Sequence, residues 1–91
     1  MAALEPTPYL WHNGKLIPWA DATLHVGAHA LHYGSSVFEG IRCYNTERGP
    51  AVFRLPEHAR RLVDSARIYR MELDYDAQQL AEACLETIRA N

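Results

Sequence analysis

Two apolar-rich runs flank a tight polar turn near the start of the chain. Residues 8–12 and 15–19 are rich in apolar side chains and flank Asn13-Gly14. Asn-Gly between two such runs is typical of a two-residue hairpin turn, because both turn residues must adopt positive φ. The pattern therefore predicts an antiparallel β-hairpin over residues 8–19.

A second hairpin is predicted from a strand at residues 36–44, a turn at 45–50 and a strand at 51–55. Alternation divides the first of these strands into two faces. One face carries Phe38, Gly40, Arg42 and Tyr44, and the other carries Val37, Glu39, Ile41 and Cys43. Glycine in a strand often marks the close approach of a ligand, so the first face suits a surface that a small molecule contacts. The second face is apolar apart from Glu39, which must lie at an edge or find a partner because unpaired burial of a carboxylate is costly.

Helical spacing begins after the second hairpin. Pro56 suits the first position of a helix, where a missing N–H costs nothing, and this helix is predicted to continue to about residue 71. Its apolar stripe consists of Ala59, Leu62, Val63, Ala66 and Tyr69. Glu57 and Arg61 lie four residues apart and are predicted to form an ion pair on its surface.

A second long helix is predicted to begin after Asp76, which can form a capping box with Gln79 three residues later. Between the hairpins, one helical turn is expected at residues 28–33, ended by Gly34. Four short strands followed by two helices predict an α+β fold, in which two hairpins form an antiparallel sheet and two helices pack on one of its faces. The 91 residues are expected to form one domain.

The charge balance argues against nucleic acid as a partner. Nine basic residues face eleven acidic ones, with a net charge of -2, whereas a nucleic-acid-binding domain carries a basic footprint. No apolar stretch approaches the length of a membrane-spanning helix, and residues 1–6 lack the charged and apolar regions of a signal peptide. We therefore expect a cytoplasmic protein that does not bind a membrane.

The cysteines and histidines do not predict a disulfide framework or a metal site. Cys43 and Cys84 fall on predicted inward faces, where thiols act as small apolar side chains, and two cysteines form no metal-binding pattern. His25, His29 and His32 would share one face only if their whole segment were helical. Because no acidic or thiol ligand lies at a supporting spacing, a metal site is not expected there.

Three segments of the chain resemble one enzyme family. They are Tyr-Gly-Ser-Ser-Val-Phe-Glu-Gly-Ile-Arg-Cys-Tyr at residues 33–44, Arg-Gly-Pro-Ala-Val-Phe-Arg at 48–54, and Glu-His-Ala-Arg-Arg-Leu-Val-Asp-Ser-Ala-Arg-Ile-Tyr at 57–69. From about Tyr9 to Asn91, the sequence closely resembles the N-terminal domain of branched-chain-amino-acid aminotransferases, which are fold-type IV enzymes that use pyridoxal 5'-phosphate. D-amino-acid aminotransferases and aminodeoxychorismate lyases share this architecture but diverge from this sequence around residues 38–42.

The resemblance implies a cofactor site and a substrate site. It matches Arg61, in the Glu-His-x-x-Arg-Leu context, to the arginine that binds the cofactor phosphate, and a forked, permanently charged guanidinium suits a phosphate. Tyr33, Phe38 and Gly40 match positions that line the substrate pocket, where aromatic rings form a dry wall for an aliphatic side chain. Arg42 lies two residues beyond Gly40 on the same predicted strand face, so we expect it to help to bind a carboxylate. By pattern alone, Arg61 is a surface arginine.

The implied reaction transfers an amino group between leucine, isoleucine or valine and 2-oxoglutarate, in a homo-oligomer. Transamination needs a lysine that holds the cofactor covalently. The single lysine, Lys15, follows the first hairpin turn and does not match that position. In the resembling family, the lysine lies in a larger C-terminal domain that is absent from this chain. We therefore expect no catalytic residue in these 91 residues and no activity of the chain alone.

Two alternatives stay open. A D-amino-acid aminotransferase or an aminodeoxychorismate lyase would have the same fold. A non-catalytic interaction domain, complete in itself, would instead use an exposed apolar face as an oligomer interface. The mass of the natural gene product separates the enzyme from the interaction domain, since a second and larger domain implies about 300 residues in total.

Overall fold

The computed structural model of the protein describes residues 4–91, and the first hairpin lies near their start. Strand β1 (Tyr9–His12) pairs antiparallel with strand β2 (Lys15–Pro18). The turn residues Asn13 and Gly14 have φ of 50° and 95°. The predicted hairpin and its turn are therefore confirmed.

A short helical segment joins the two hairpins. A single 3-10 turn at Trp19–Asp21 follows β2, and helix α1 comprises His29–Tyr33. Gly34 ends this helix in the left-handed region at φ 64°, and its N–H donates to the carbonyl of Ala30. Glycine adopts this conformation without a Cβ penalty. The helical turn predicted at residues 28–33, and its end at Gly34, are confirmed.

The second hairpin is shorter than predicted and is shifted along the chain. Strands β3 (Cys43–Thr46) and β4 (Gly49–Val52) pair antiparallel, so the predicted limits of 36–44 and 51–55 are wrong. The turn contains only residues 47 and 48, because the Thr46 hydroxyl donates to the Gly49 carbonyl at 2.6 Å and closes it. Residues 36–42 have no partner strand among the described residues, yet their exposure still alternates as predicted for a strand.

Helix α2 (Leu55–Ile68) ends three residues before the predicted position. The N–H of Met71 donates to the carbonyl of Ala66, and the N–H of Arg70 donates to that of Arg67, both at 2.9 Å. These two bonds form a Schellman motif, with Arg70 at φ 57° in the position that glycine usually occupies. The sequence offered no glycine there to mark this helix end.

Helix α3 (Ala77–Ala90) begins at the predicted capping box. The N–H of Gln79 donates to Asp76 Oδ1, and the N–H of Asp76 donates to Gln79 Oε1, both at 2.8 Å. At the other end, the Asn91 side chain accepts from the N–H of Tyr9 and donates to its carbonyl, both at 3.0 Å. Helix α3 is thereby fixed to the edge of β1.

The core lies between the helices. Its buried side chains are Leu55, Ala59 and Ala66 of α2 and Ala83 of α3. The predicted α+β class, with two antiparallel hairpins and two long helices, is confirmed. The hairpins form two separate two-stranded sheets, whereas the sequence led us to expect one sheet. No helix within residues 4–91 combines the length and apolar character that crossing a membrane requires.

Substitution of Gly14 by alanine is expected to destabilise the protein for two reasons. A Cβ at this position would lie 2.7 Å from the hydroxyl oxygen of Tyr75, and φ is 95°. The strain alone costs about 1–2 kcal/mol, and the contact adds to it. Urea denaturation of the wild-type protein and the variant measures the change in the free energy of unfolding.

Gly49→Ala is the matched control for this substitution. Gly49 has φ 99° in the other hairpin, but nothing lies within 4 Å of its Cβ position. We expect Gly14→Ala to destabilise more than Gly49→Ala, and Tyr75→Phe to recover part of the difference in the Gly14→Ala background. Equal effects of the two glycine substitutions would contradict the contact with Tyr75.

Candidate functional site

Glu39 binds two side chains of helix α2 at once. Arg61 donates from Nε to Oε2 at 2.8 Å and from Nη2 to Oε1 at 2.7 Å, so the pair is bidentate. His58 Nδ1 lies 2.7 Å from Oε1 of the same carboxylate. We call Glu39, His58 and Arg61 the carboxylate cluster.

The helix positions the two partners of Glu39. His58 and Arg61 are three residues apart on α2, so they project from the same side. Alternation along residues 37–41 turns Glu39 toward the helix, where only 7% of its side chain is exposed. The expectation that this carboxylate finds a partner is confirmed. The predicted ion pair between Glu57 and Arg61 is wrong, because Arg61 is paired with Glu39 among the described residues.

The carboxylate cluster has strong electrostatic coupling. The hydrogen bonds from Arg61, and then those from His58, lower the pKa of Glu39 from 4.5 to about 2, although partial burial opposes the change. In turn, the hydrogen bonds to Glu39 raise the pKa of Arg61. Glu39 is therefore a stable anion at neutral pH, and no proton exchange with its partners is expected of it.

A small cleft opens beside the cluster at the start of α2. It has a volume of about 160 Å³ and is lined by Arg54, Glu57, His58 and Arg61. The Arg61 side chain is 68% exposed, and Glu39 occupies only two of its five N–H groups. Three charged donors thus remain for an anion. These residues fit a phosphate monoester, which a guanidinium binds through several N–H groups at once.

The predicted substrate residues lie on the outer side of residues 33–42. Tyr33 and Phe38 are 76% and 86% exposed, so residues 4–91 leave both rings largely uncovered. Gly40 has open space where a Cβ would stand. Arg42 is exposed, and its carbonyl accepts from the N–H of Phe53 at 3.0 Å. Arg61 contacts Glu39, which stands between Phe38 and Gly40 in the sequence, while the roles of these residues stay predictions.

Sequence reasoning missed the part that Glu39 and His58 have in this site. Glu39 had a detectable signal, namely a charge on an otherwise apolar strand face, but that signal did not identify its partners. His58 had no signal of its own beyond its place three residues before Arg61. The two contacts join positions 19 and 22 residues apart, so no local pattern predicts them.

Other candidate residues lie away from the carboxylate cluster. His29 Nδ1 lies 2.5 Å from the Ser35 hydroxyl, and His32 Nε2 lies 2.6 Å from the carbonyl of Val26. Lys15 is exposed on β2. Both cysteines are free thiols, and Cys43 is exposed. The predicted inward orientation of Cys43 is wrong. Strand β3 belongs to a separate two-stranded hairpin, and all four of its residues are exposed.

Comparison with known proteins identifies the family. Residues 36–91 match the family described as amino-transferase class IV, and this match covers more than half of the chain. The chain belongs to this family.

The chain is 55% identical over 83 residues to the branched-chain-amino-acid aminotransferase of Escherichia coli K12 and 48% identical over 91 residues to that of Pseudomonas aeruginosa PAO1. These matches cover 91% and 100% of this chain but 27% and 30% of the relatives. The chain therefore spans between a quarter and a third of their length.

Solved structures show the same fold. The crystal structure of the branched-chain amino acid aminotransferase from E. coli superposes with a TM-score of 0.89 at 55% identity, over 91% of this chain and 27% of that one. The branched-chain amino acid aminotransferase from Thermobaculum terrenum, solved in its PLP-bound holo form, has a TM-score of 0.80 at 38% identity, over 96% of this chain and 29% of that one. The predicted resemblance to the N-terminal region of these enzymes is confirmed.

The low pKa of Glu39 makes stability depend on pH. The folded-state pKa of about 2 lies below the ordinary value of 4.5, so the unfolded chain binds the proton more tightly. The stabilisation by Glu39 is therefore complete above about pH 5 and is lost as the pH falls through 4.5 toward 2. We expect the melting temperatures of the wild-type protein and Glu39→Gln to differ near neutral pH and to approach each other in acid. Thermal unfolding followed by circular dichroism across this range measures the effect.

Glu57→Gln controls for the general effect of removing an acidic residue from α2. Glu57 is exposed and has no ion pair among the described residues. Its variant is expected to show no comparable convergence with the wild-type protein. A difference between wild type and Glu39→Gln that is the same at every pH would contradict the assignment of the low pKa to Glu39.

Proposed function

We propose that this chain is the N-terminal part of a branched-chain-amino-acid aminotransferase. The proposed reaction transfers an amino group between leucine, isoleucine or valine and 2-oxoglutarate. The observation that carries the proposal is the contact of Arg61 with Glu39, between the predicted substrate residues Phe38 and Gly40. The names of the relatives from E. coli and P. aeruginosa support the same reaction.

Arg61 is the proposed anchor of the cofactor phosphate. Its unoccupied N–H groups, its exposure and the adjoining cleft fit the phosphate of pyridoxal 5'-phosphate. The relative from Thermobaculum terrenum was solved in its PLP form, which supports this choice of cofactor. When bound, the cofactor supplies an electron sink for the substrate carbon, while the protein supplies binding and orientation.

Tyr33 and Phe38 are proposed to shape the substrate side of the site. Their exposed rings offer apolar surface to a branched aliphatic side chain, and Gly40 leaves room for it. Arg42 is proposed to help to bind the carboxylate of the amino acid or 2-oxo acid, because a guanidinium pairs well with a carboxylate. The exposed rings then become the wall of a pocket that further sequence closes.

The lysine that holds the cofactor is proposed to come from sequence outside these 91 residues. Lys15 is exposed on the first hairpin, and the carboxylate cluster lies between residues 36–42 and α2. We therefore infer that this chain by itself does not catalyse transamination. The parent protein is proposed to be a cytoplasmic homo-oligomer with a larger second domain.

The full-length gene product tests the reaction directly. Supplied with pyridoxal 5'-phosphate and 2-oxoglutarate, it is expected to form glutamate from L-leucine and not from D-alanine. Preference for D-alanine would replace the proposal with a D-amino-acid aminotransferase. Release of pyruvate from aminodeoxychorismate would indicate a lyase, and a natural product that ends at Asn91 would indicate an interaction domain.

Arg61→Ala is expected to weaken the binding of pyridoxal 5'-phosphate to the full-length protein by about 10- to 100-fold. This is the effect expected when one charge-assisted contact is lost. The neighbouring Arg60→Ala is the matched control, because Arg60 carries the same charge but lines a different groove. Absorption titration of the cofactor measures both affinities. Unchanged affinity in Arg61→Ala would mean that the anchor lies elsewhere.

A further inference from the structure

An arginine that anchors a phosphate must be held in one orientation, yet the side chain of Arg61 lies on the exposed side of α2. The buried residues of α2 are Leu55, Ala59 and Ala66, whereas 68% of the Arg61 side chain is exposed. A long, exposed side chain has many rotamers, and each one that does not face the ligand reduces its affinity. Something must therefore hold the guanidinium in one orientation.

Glu39 provides this restraint. Its two oxygens bind Nε and Nη2 at 2.8 and 2.7 Å, which fixes both the position and the plane of the guanidinium. The Glu39 side chain is 7% exposed, and His58 Nδ1 lies 2.7 Å from Oε1, the oxygen that also accepts from Arg61 Nη2. Among the described residues, no hydrogen bond engages Nη1 of Arg61.

We propose that Glu39 is a positioning residue for phosphate binding, which holds Arg61 by two N–H groups so that the remaining N–H groups face a phosphate monoester. This inference rests on the proposed function, since it takes Arg61 as the anchor of the cofactor phosphate. His58 supports the carboxylate and so acts one step further from the ligand. Glu39 also lies between Phe38 and Gly40, so the same contact fixes the substrate side relative to the phosphate side.

Glu39 affects phosphate binding in two opposite directions, one electrostatic and one conformational. The negative charge of Glu39 repels a phosphate, so its removal by itself should strengthen phosphate binding. The orientation of Arg61 acts in the other direction, because a released guanidinium must be ordered again on each binding event. In the same cleft, Arg54 offsets part of the repulsion and Glu57 adds to it. We infer that the orientation outweighs the repulsion.

The test measures binding of pyridoxal 5'-phosphate and of pyridoxal, which lacks the phosphate, to full-length Glu39→Gln. The amide keeps the shape of Glu39 but accepts through one oxygen only. We expect affinity for pyridoxal 5'-phosphate to fall about tenfold. Residues that orient a metal-binding side chain contribute about 10- to 100-fold to metal affinity, and we take the lower end of that range for a residue that orients a phosphate-binding side chain. Affinity for pyridoxal should change less than about twofold, because the phosphate contact is absent. A residue with a merely structural role would weaken both ligands alike.

Asp64→Asn is the matched control, since Asp64 is an exposed acid on the same helix with no ion pair among the described residues. Stronger or unchanged binding of pyridoxal 5'-phosphate by Glu39→Gln would overturn the proposal, as would equal losses for both ligands. If Glu39→Gln does not fold, Glu39→Asp serves instead, because it keeps the charge but is too short to keep both bonds with the same geometry.

The Arg61→Ala background separates this proposal from the proposed function. There, Glu39→Gln is expected to cause no loss of affinity for pyridoxal 5'-phosphate, because the residue through which Glu39 acts is gone, and removal of the repelling charge alone should leave the affinity equal or slightly higher. An equal effect in both backgrounds would overturn the positioning role alone. If Arg61→Ala itself leaves affinity unchanged, the anchor and the positioning role both fail.

Discussion

The bidentate contact between Glu39 and Arg61 is the interaction on which the arrangement of this molecule depends. It joins a segment that has no strand partner among the described residues to helix α2. Apart from the bond between the N–H of Phe53 and the carbonyl of Arg42, no pairing with another described strand determines which side chains of residues 36–42 face the helix. A single carboxylate therefore determines both where Phe38 and Gly40 lie and how the guanidinium is oriented.

Polar contacts have this importance because the apolar core is small. Among the described residues, its buried side chains are one leucine and three alanines, and the alanines let the helices approach closely but bury little area each. The carboxylate cluster at one side and Asn91 at the other connect the irregular and β segments to the helices. Large rings such as Phe38 and Tyr33 remain exposed, as is common on surfaces that another protein segment covers.

Local chemistry in this chain was predictable, and long-range chemistry was not. The Asn13-Gly14 turn and the Asp76 capping box follow from neighbouring residues alone, and both are confirmed. The extent of the second hairpin depended on which segment residues 36–42 would contact, and they contact a helix through side chains. The end of α2 at Ile68 escaped prediction because an arginine, Arg70, occupies the left-handed position that follows it. The partner that holds Arg61 escaped prediction because it lies 22 positions away along the chain.

The link between Asn91 and Tyr9 has a consequence for synthesis on the ribosome. The side-chain amide of Asn91 bonds both backbone groups of Tyr9 across 82 positions, as an adjacent strand would. These groups emerge from the exit tunnel long before their partner does, since translation adds about 5–20 residues per second. The first hairpin therefore spends several seconds with these two backbone groups unpaired, and during that time they are open to pairing with another strand.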